Sequence, residues 1–328
     1  MIGRSLTVNA AAIERRKSRR DWLRPGRPHA LVLVIALLTA AGAVSAARQA
    51  LPPSHRARVA ATLRAPPLVF GTTWLAAHPP PALTLRAQSA ILVDLGSRQV
   101  LWEKDADSPR APASLAKMLT AMVAADHAGL DAELTVPAAA AAVEPNRMGL
   151  AAGEVVPVSD LMYGLFLVSG NDAAETLAGA IIPRRRFLDE MSARARMLGL
   201  SQTRFANPTG LDDPGLRSSA RDLAVVAAYL VTRYPDLAAI AGARQKSIPA
   251  GPHHGAYSLY TLNKLLATYP GADGLKTGFT DEAGGCVAAT AVRDGRRLVA
   301  LVMHSDVFFT DAARLLDYGF STAPPPPA

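Results

Sequence analysis

The chain has 328 residues with a formal net charge of +8; half of its residues are hydrophobic and 5% are aromatic. Such proportions describe one well-filled globular domain or two small ones and exclude a disordered or fibrous chain. The charge is unevenly spread: residues 1–64 hold 12 Lys and Arg against Glu14 and Asp21, a net of +10, and the other 264 hold 23 basic and 25 acidic residues, a net of −2. A basic, nucleic-acid-binding face on the main domain is therefore not indicated. The single cysteine, Cys286, excludes an intramolecular disulfide framework and a multi-cysteine zinc site, and its small apolar neighbours from Gly284 to Ala289 predict buried packing.

Residues 30–47 are uncharged and apolar and follow Arg15-Arg16-Lys17, Arg19-Arg20, Arg24 and Arg27. Positive charge ahead of a short apolar run that closes in small residues is the pattern of an export signal, with Val44-Ser45-Ala46 as its cleavage site. As an uncleaved anchor, its 18 residues reach the lower limit for spanning about 30 Å of hydrocarbon. Both readings keep the basic side in the cytoplasm and carry the rest across, to the periplasm or cell envelope, with residues 30–47 as the expected membrane attachment. Residues 48–85 are rich in Ala, Arg and Pro, and their proline pairs predict a semi-extended linker. A proline-rich tail over 321–328 leaves 86–320 as the folded domain.

Within that domain, Gln88–Val93, the turn 94–98 and Gln99–Trp102 predict a β-hairpin. From Pro112 the apolar period changes, and Leu115, Met118, Leu119, Met122 and Val123 predict a helix to Asp126. Two helices, Ser159–Leu167 and Asp172–Ile182, flank Ser169-Gly170-Asn171, and further helical patterns cover 185–198 and 218–233. Strands are expected at Gly274–Thr280, Cys286–Arg293 and Arg297–His304, the last two joined by Asp294-Gly295, before a closing helix over 307–319. Strands at both ends with helices between predict an α+β fold whose terminal strands share one antiparallel sheet, with a helical subdomain.

Three short patterns carry chemistry. Ser114-Leu115-Ala116-Lys117 opens the first helix, where positions i and i+3 share a face, so the Lys117 amine can reach the Ser114 hydroxyl and take its proton. Ser169-Gly170-Asn171 lies between two helices, and Lys276-Thr277-Gly278 lies in a strand, where a lysine and a threonine together suit a carboxylate and the glycine implies close approach by another backbone. Each alone also fits a plain role: a solvated helix turn, a capping turn with Asn171 as the cap, an edge strand guarded by a lysine. Their order, with first members 55 and 107 positions apart, is the signature of penicillin-binding proteins and serine β-lactamases.

Together with Phe205-Ala206-Asn207-Pro208-Thr209-Gly210-Leu211 and Asp273-Gly274-Leu275, these phrases make residues 88–304 resemble the low-molecular-mass penicillin-binding proteins that act as D-alanyl-D-alanine carboxypeptidases. The resemblance implies a β-lactamase/transpeptidase-like fold and serine-type removal of the terminal D-alanine from peptidoglycan stem peptides through an acyl-enzyme, with β-lactams as covalent inhibitors and no metal or cofactor. It implies Ser114 as nucleophile, Lys117 as general base and Ser169 as proton relay tuned by Lys276. It also implies that Asn171 holds the substrate amide and Thr277 its terminal carboxylate, with Lys276 and Gly278 also substrate-binding, and that the backbone N–H groups of Ser114 and Phe279 form the oxyanion hole. Phe279 departs from the histidine common there. The family often continues into a strand-rich domain and a carboxy-terminal amphipathic anchor, where this chain has its proline tail. A D,D-endopeptidase shares every motif. A class A β-lactamase needs an acidic residue in a later loop, with no matching phrase between 183 and 222, and a catalytically dead peptidoglycan-binding protein is disfavoured by the intact motifs. His253-His254 sits in a Gly-Pro-flanked loop suited to solvent, and Arg184-Arg185-Arg186 predicts an exposed helix start.

Overall fold

The computed structural model describes residues 68–326, with residues 57, 59 and 60 ahead of them. The predicted leader over 1–47 and part of the predicted linker over 48–85 lie outside the described residues. The part of the linker that is described packs against the domain. Gly71 pairs with Gln99, helix α1 (Thr73–Ala77) comes next, and Trp74 N–H donates to the Gln99 side chain at 3.2 Å. Phe70 and Leu85 are buried. Prolines 79–81 interrupt regular structure without preventing the apolar side chains around them from packing.

The expected hairpin is β1 (Ser89–Asp94) and β2 (Gln99–Lys104), whose turn is closed by Ser97 N–H donating to Asp94 Oδ1 at 2.9 Å. A 3-10 turn, Ala113–Ala116, then leads into α2 (Lys117–His127). Beyond α2 lies a layer of small elements and helices: β3 (Glu133–Thr135), α3 (Ala138–Ala141), β4 (Val155–Pro157), α4 (Val158–Leu167), α5 (Asn171–Ala180) and α6 (Arg184–Met197). Next come α7 (Ala220–Arg233), α8 (Pro235–Ala241), β5 (Gln245–Ile248), β6 (Tyr257–Tyr260) and α9 (Leu265–Thr268). The chain ends with β7 (Ala272–Thr280), β8 (Gly284–Arg293), β9 (Arg296–Ser305) and α10 (Phe308–Ser321).

The main sheet has the order β2-β1-β9-β8-β7, all antiparallel, so strands from both ends of the domain share it. The α+β prediction is met. Asp294-Gly295 joins β8 to β9 with both residues at positive φ, 50° and 77°, the geometry of a tight hairpin turn. β1 is buried at every position because the sheet is covered on both faces. Ile91, Val93, Leu301 and Met303 face the core shared with α2, α4, α5 and α7, and Ala90, Leu92, Ala300 and Val302 face Leu315 and Leu316 of α10. Strands buried on both sides need apolar residues at consecutive positions, so the alternation in the sequence is shallow. The two outer strands of the sheet are β2 on one side and β7 on the other, and the outer edge of β7 is unpaired by any strand among the described residues.

Candidate active site

Ser114 sits in the 3-10 turn and Lys117 is the first residue of α2. In a 3-10 turn side chains three apart eclipse, which brings this pair closer than α-helical spacing does. The turn is entered through Ala113 at φ 47°, in the left-handed region that side-chain-bearing residues adopt at a cost. Lys117 is fully buried, and its Nζ lies 2.8 Å from Ser114 Oγ, 2.7 Å from Asn171 Oδ1 and 2.5 Å from the Thr209 carbonyl. Burial and, next, the Lys276 cation hold the Lys117 amine well below its ordinary pKa, against opposing attraction from Asp172 and Glu175. Lys276, also buried, is lowered to about 7 by desolvation, and its Nζ donates to the Thr277 carbonyl at 2.8 Å.

Two of the three Lys117 contacts can only accept. Asn171 Nδ2 donates to the carbonyls of Glu144 and Pro145 at 3.0 and 3.1 Å, which turns Oδ1 toward the lysine, and the Thr209 acceptor is a backbone carbonyl. A neutral amine has two N–H bonds and one lone pair. With both N–H bonds committed to Asn171 and Thr209, the lone pair faces the Ser114 hydroxyl, which then donates to it.

Other segments fix this arrangement. Asn171 does not cap α5; Gly170 occupies that position, and Ser169, at φ 58°, takes the left-handed backbone conformation just before it. Asp172, fully buried, accepts from the backbone N–H groups of Met148, Gly149 and Leu150 at 2.8, 2.8 and 3.0 Å, pinning the loop whose Glu144 and Pro145 carbonyls orient Asn171. On the other side, Asn207 Oδ1 accepts from the backbone N–H groups of Thr209 and Gly210, and Thr120 Oγ1 donates to the Pro208 carbonyl at 2.7 Å. A Cβ at Gly210 would lie 1.9 Å from the Ala113 carbonyl oxygen, and one at Gly278 would lie 2.8 Å from Ser114 N. The strand glycine of Lys276-Thr277-Gly278 is thus a close approach to the nucleophile turn itself.

A cleft of about 480 Å³ opens over Ser114, with Ser169, Asn171, Thr277, Gly278 and Phe279 among its lining. Of the eight residues singled out from sequence, these six meet at one cleft, and Lys117 and Lys276 lie buried behind it. The outer edge of β7 runs along it. Motif reasoning misses Asp172 and the Thr209 carbonyl: the former has the signal of an acidic residue beside Ser-Gly-Asn, whereas a backbone acceptor leaves none beyond its turn phrase. Cys286 is buried, with its thiol pushed up to about 12 by desolvation, and packs as expected.

A serine whose hydroxyl faces a buried, proton-poor lysine beside an open sheet edge defines a serine-type acyl-transfer hydrolase of the penicillin-binding fold. The sequence over residues 74–307 matches the peptidase family described as D-alanyl-D-alanine carboxypeptidase. The chain is 36% identical over 246 residues to the D-alanyl-D-alanine carboxypeptidase DacB2 of Mycobacterium tuberculosis, covering 73% of this chain and 84% of that one. It is 34% identical to DacA of Escherichia coli over 71% of this chain, spanning 60% of that relative's length. Among solved structures, a D-alanyl-D-alanine carboxypeptidase of M. tuberculosis superposes with a TM-score of 0.70 at 35% identity, over 74% of this chain and 94% of that one. A Streptomyces K15 DD-transpeptidase variant superposes at 0.69 and 28% identity, over 74% of this chain and 100% of that one. The chain belongs to the D-alanyl-D-alanine carboxypeptidase family and is a serine peptidase.

Proposed function

We propose that the chain removes the terminal D-alanine from peptidoglycan stem peptides, with the contacts of Lys117 as the observation that carries the mechanism. Ser114 Oγ attacks the carbonyl between the last two D-alanines as its proton passes to Lys117 Nζ. The developing oxyanion takes backbone N–H bonds from Ser114 and Phe279, on the nucleophile turn and the facing β7 edge. The carbon–nitrogen bond then breaks, the leaving amine receives the proton through Ser169, and water hydrolyses the Ser114 ester by the reverse relay. Thr277, with the cation of Lys276 behind it, faces the terminal carboxylate, and Gly278 lets β7 come close to Ser114. Asn171 orients Lys117 in this scheme, because both ends of its amide are already engaged.

A β-lactam reacts at the same serine: Ser114 Oγ bonds to the lactam carbonyl, the ring carbon–nitrogen bond breaks, and the nitrogen takes the proton. No carboxylate lines the cleft among the described residues, which disfavours the class A β-lactamase reading. The test is labelling with a fluorescent penicillin, in wild type and Ser114→Ala, and then an assay of D-alanine release from a pentapeptide. A wild type that forms no covalent adduct would sink the proposal. Penicillin turnover without D-alanine release would favour a β-lactamase, and release only from cross-linked dimers would favour an endopeptidase.

Export to the cell envelope, with residues 30–47 as signal or anchor, belongs to the same proposal, supported by the basic-then-apolar leader. Among the described residues no single helix is long and apolar enough to cross a membrane. A reporter fused after residue 85 that is active only outside the cytoplasm would support it, and activity inside would refute it.

A further inference from the structure

We infer that the outer half of the cleft is an acyl-donor subsite that selects a segment with an apolar group near the scissile bond and a carboxylate beyond it, through Phe279 and Lys264. Among the described residues four large apolar side chains are exposed, Val69, Tyr260, Leu262 and Phe279. Of these, Phe279, 67% exposed, and Leu262, 45% exposed, both line the cleft over Ser114, together with Phe308 and Phe309, whose rings lie 4.3 Å apart. Exposed apolar surface gathered at one cleft marks a place where a ligand covers it.

The wall is preformed. Phe279 is paired opposite Gly285 of β8, and a Cβ at Gly285 would lie 2.2 Å from the Phe308 ring, so α10 begins tight against the strand neighbouring Phe279. Leu262 is held by its N–H donating to the Leu167 carbonyl at 2.9 Å. Besides this wall, the cleft has one charged lining residue, Lys264, an exposed lysine whose Nζ stands 6.0 Å from the centre of the Phe309 ring. Asp212, beside the lining residue Leu211, is taken up by the Thr280 hydroxyl at 2.6 Å and the Glu282 N–H at 3.3 Å. An apolar ligand covering Leu262 and Phe279 would strip water from around this ammonium and strengthen its pull on an anion, while a cation there would be repelled. The wall shares one cleft with Ser114, and Phe279 lies two residues along β7 from Thr277, where the terminal carboxylate sits, so the wall is assigned to the other side of the scissile bond, the part that stays on the serine.

This inference rests on the acyl-enzyme reading, and one experiment separates the two. Second-order acylation rates are measured for benzylpenicillin and for its α-carboxy and α-amino derivatives, which share the phenyl ring and differ only in charge beside it. Wild type is expected to favour the α-carboxy over the α-amino compound about fivefold at low salt, Lys264→Glu to reverse that ratio, and Phe279→Ala, which keeps its backbone N–H, to slow all three about tenfold. Each charge ratio is taken within one protein, so partial loss of folded material cancels. No acylation of wild type by any of the three would overturn the acyl-enzyme reading. Acylation with the same charge ratio in wild type and Lys264→Glu, or undiminished in Phe279→Ala, would overturn the subsite alone.

Discussion

Gly210→Ala tests whether the segment from Asn207 to Leu211 holds the nucleophile turn in place. The added Cβ would stand 1.9 Å from the Ala113 carbonyl oxygen, 2.4 Å from its carbon and 2.9 Å from Ser114 N, all backbone atoms with no rotamer to change. Relief to even a 3.0 Å contact requires the two segments to part by about 1.1 Å. Gly210 also has φ +84°, where an alanine is strained by about 1–2 kcal/mol. With about 1–3 kcal/mol for overpacking, the expected loss of stability is about 2–5 kcal/mol, a large part of a total of about 5–15. The functional loss is expected to be larger in proportion. A shift of about 1 Å separates Ser114 from Lys117 and withdraws the Thr209 carbonyl, and misplacement of that size costs about a hundredfold in rate. Urea denaturation reads the first effect and the penicillin acylation rate the second. Gly129→Ala, with open space around its Cβ and no positive φ, is the control and should behave as wild type. A Gly210→Ala protein with stability within about 0.5 kcal/mol of wild type and unchanged acylation would refute the reasoning, since surface substitutions stay within that range.

Stability should rise with pH through Lys276. Its pKa is about 7 when folded and 10.5 when exposed, so between those values the unfolded chain binds more protons and the folded state gains up to about 1.4 kcal/mol per pH unit. The gain is absent below about 7, and urea melts of wild type and Lys276→Met between pH 7 and 10 should diverge; parallel curves would contradict it. Asp172→Ala leaves the N–H groups of Met148, Gly149 and Leu150 without their carboxylate and should cost about 3 kcal/mol and slow acylation, because Asn171 loses its orienting carbonyls. Cys286 should resist iodoacetamide in the native protein and react in urea; rapid native labelling would show that the strand opens.

Long periodic elements are legible in the sequence and short ones are not. The β1–β2 and β8–β9 hairpins announce themselves through apolar runs and turn residues, and their shared sheet is implied by strands at both ends. The ribbons β3–β4 and β5–β6 are three and four residues long, too short to show a period. α8 is hidden by Pro235, which occupies its first turn rather than ending a pattern. At the site, motifs reveal the reacting side chains but not the features that aim them. Ala113 and Ser169 at positive φ and the carbonyls of Thr209, Glu144 and Pro145 belong to the backbone, and nothing in residue type alone marks them.

The position of β9 between β1 and β8 also sets when this protein can fold. β1 makes its second set of sheet bonds to residues 298–303, more than 200 positions later, so the hairpin made first must wait for nearly the whole domain before its inner edge is covered. Closing a loop of that length is entropically costly and makes folding slow. A chain emerging from the ribosome therefore remains open until its last strand and α10 arrive. Truncation anywhere ahead of residue 305 should leave a species with one sheet edge bare and its second apolar layer unbuilt, prone to chaperones and proteases rather than merely short of activity.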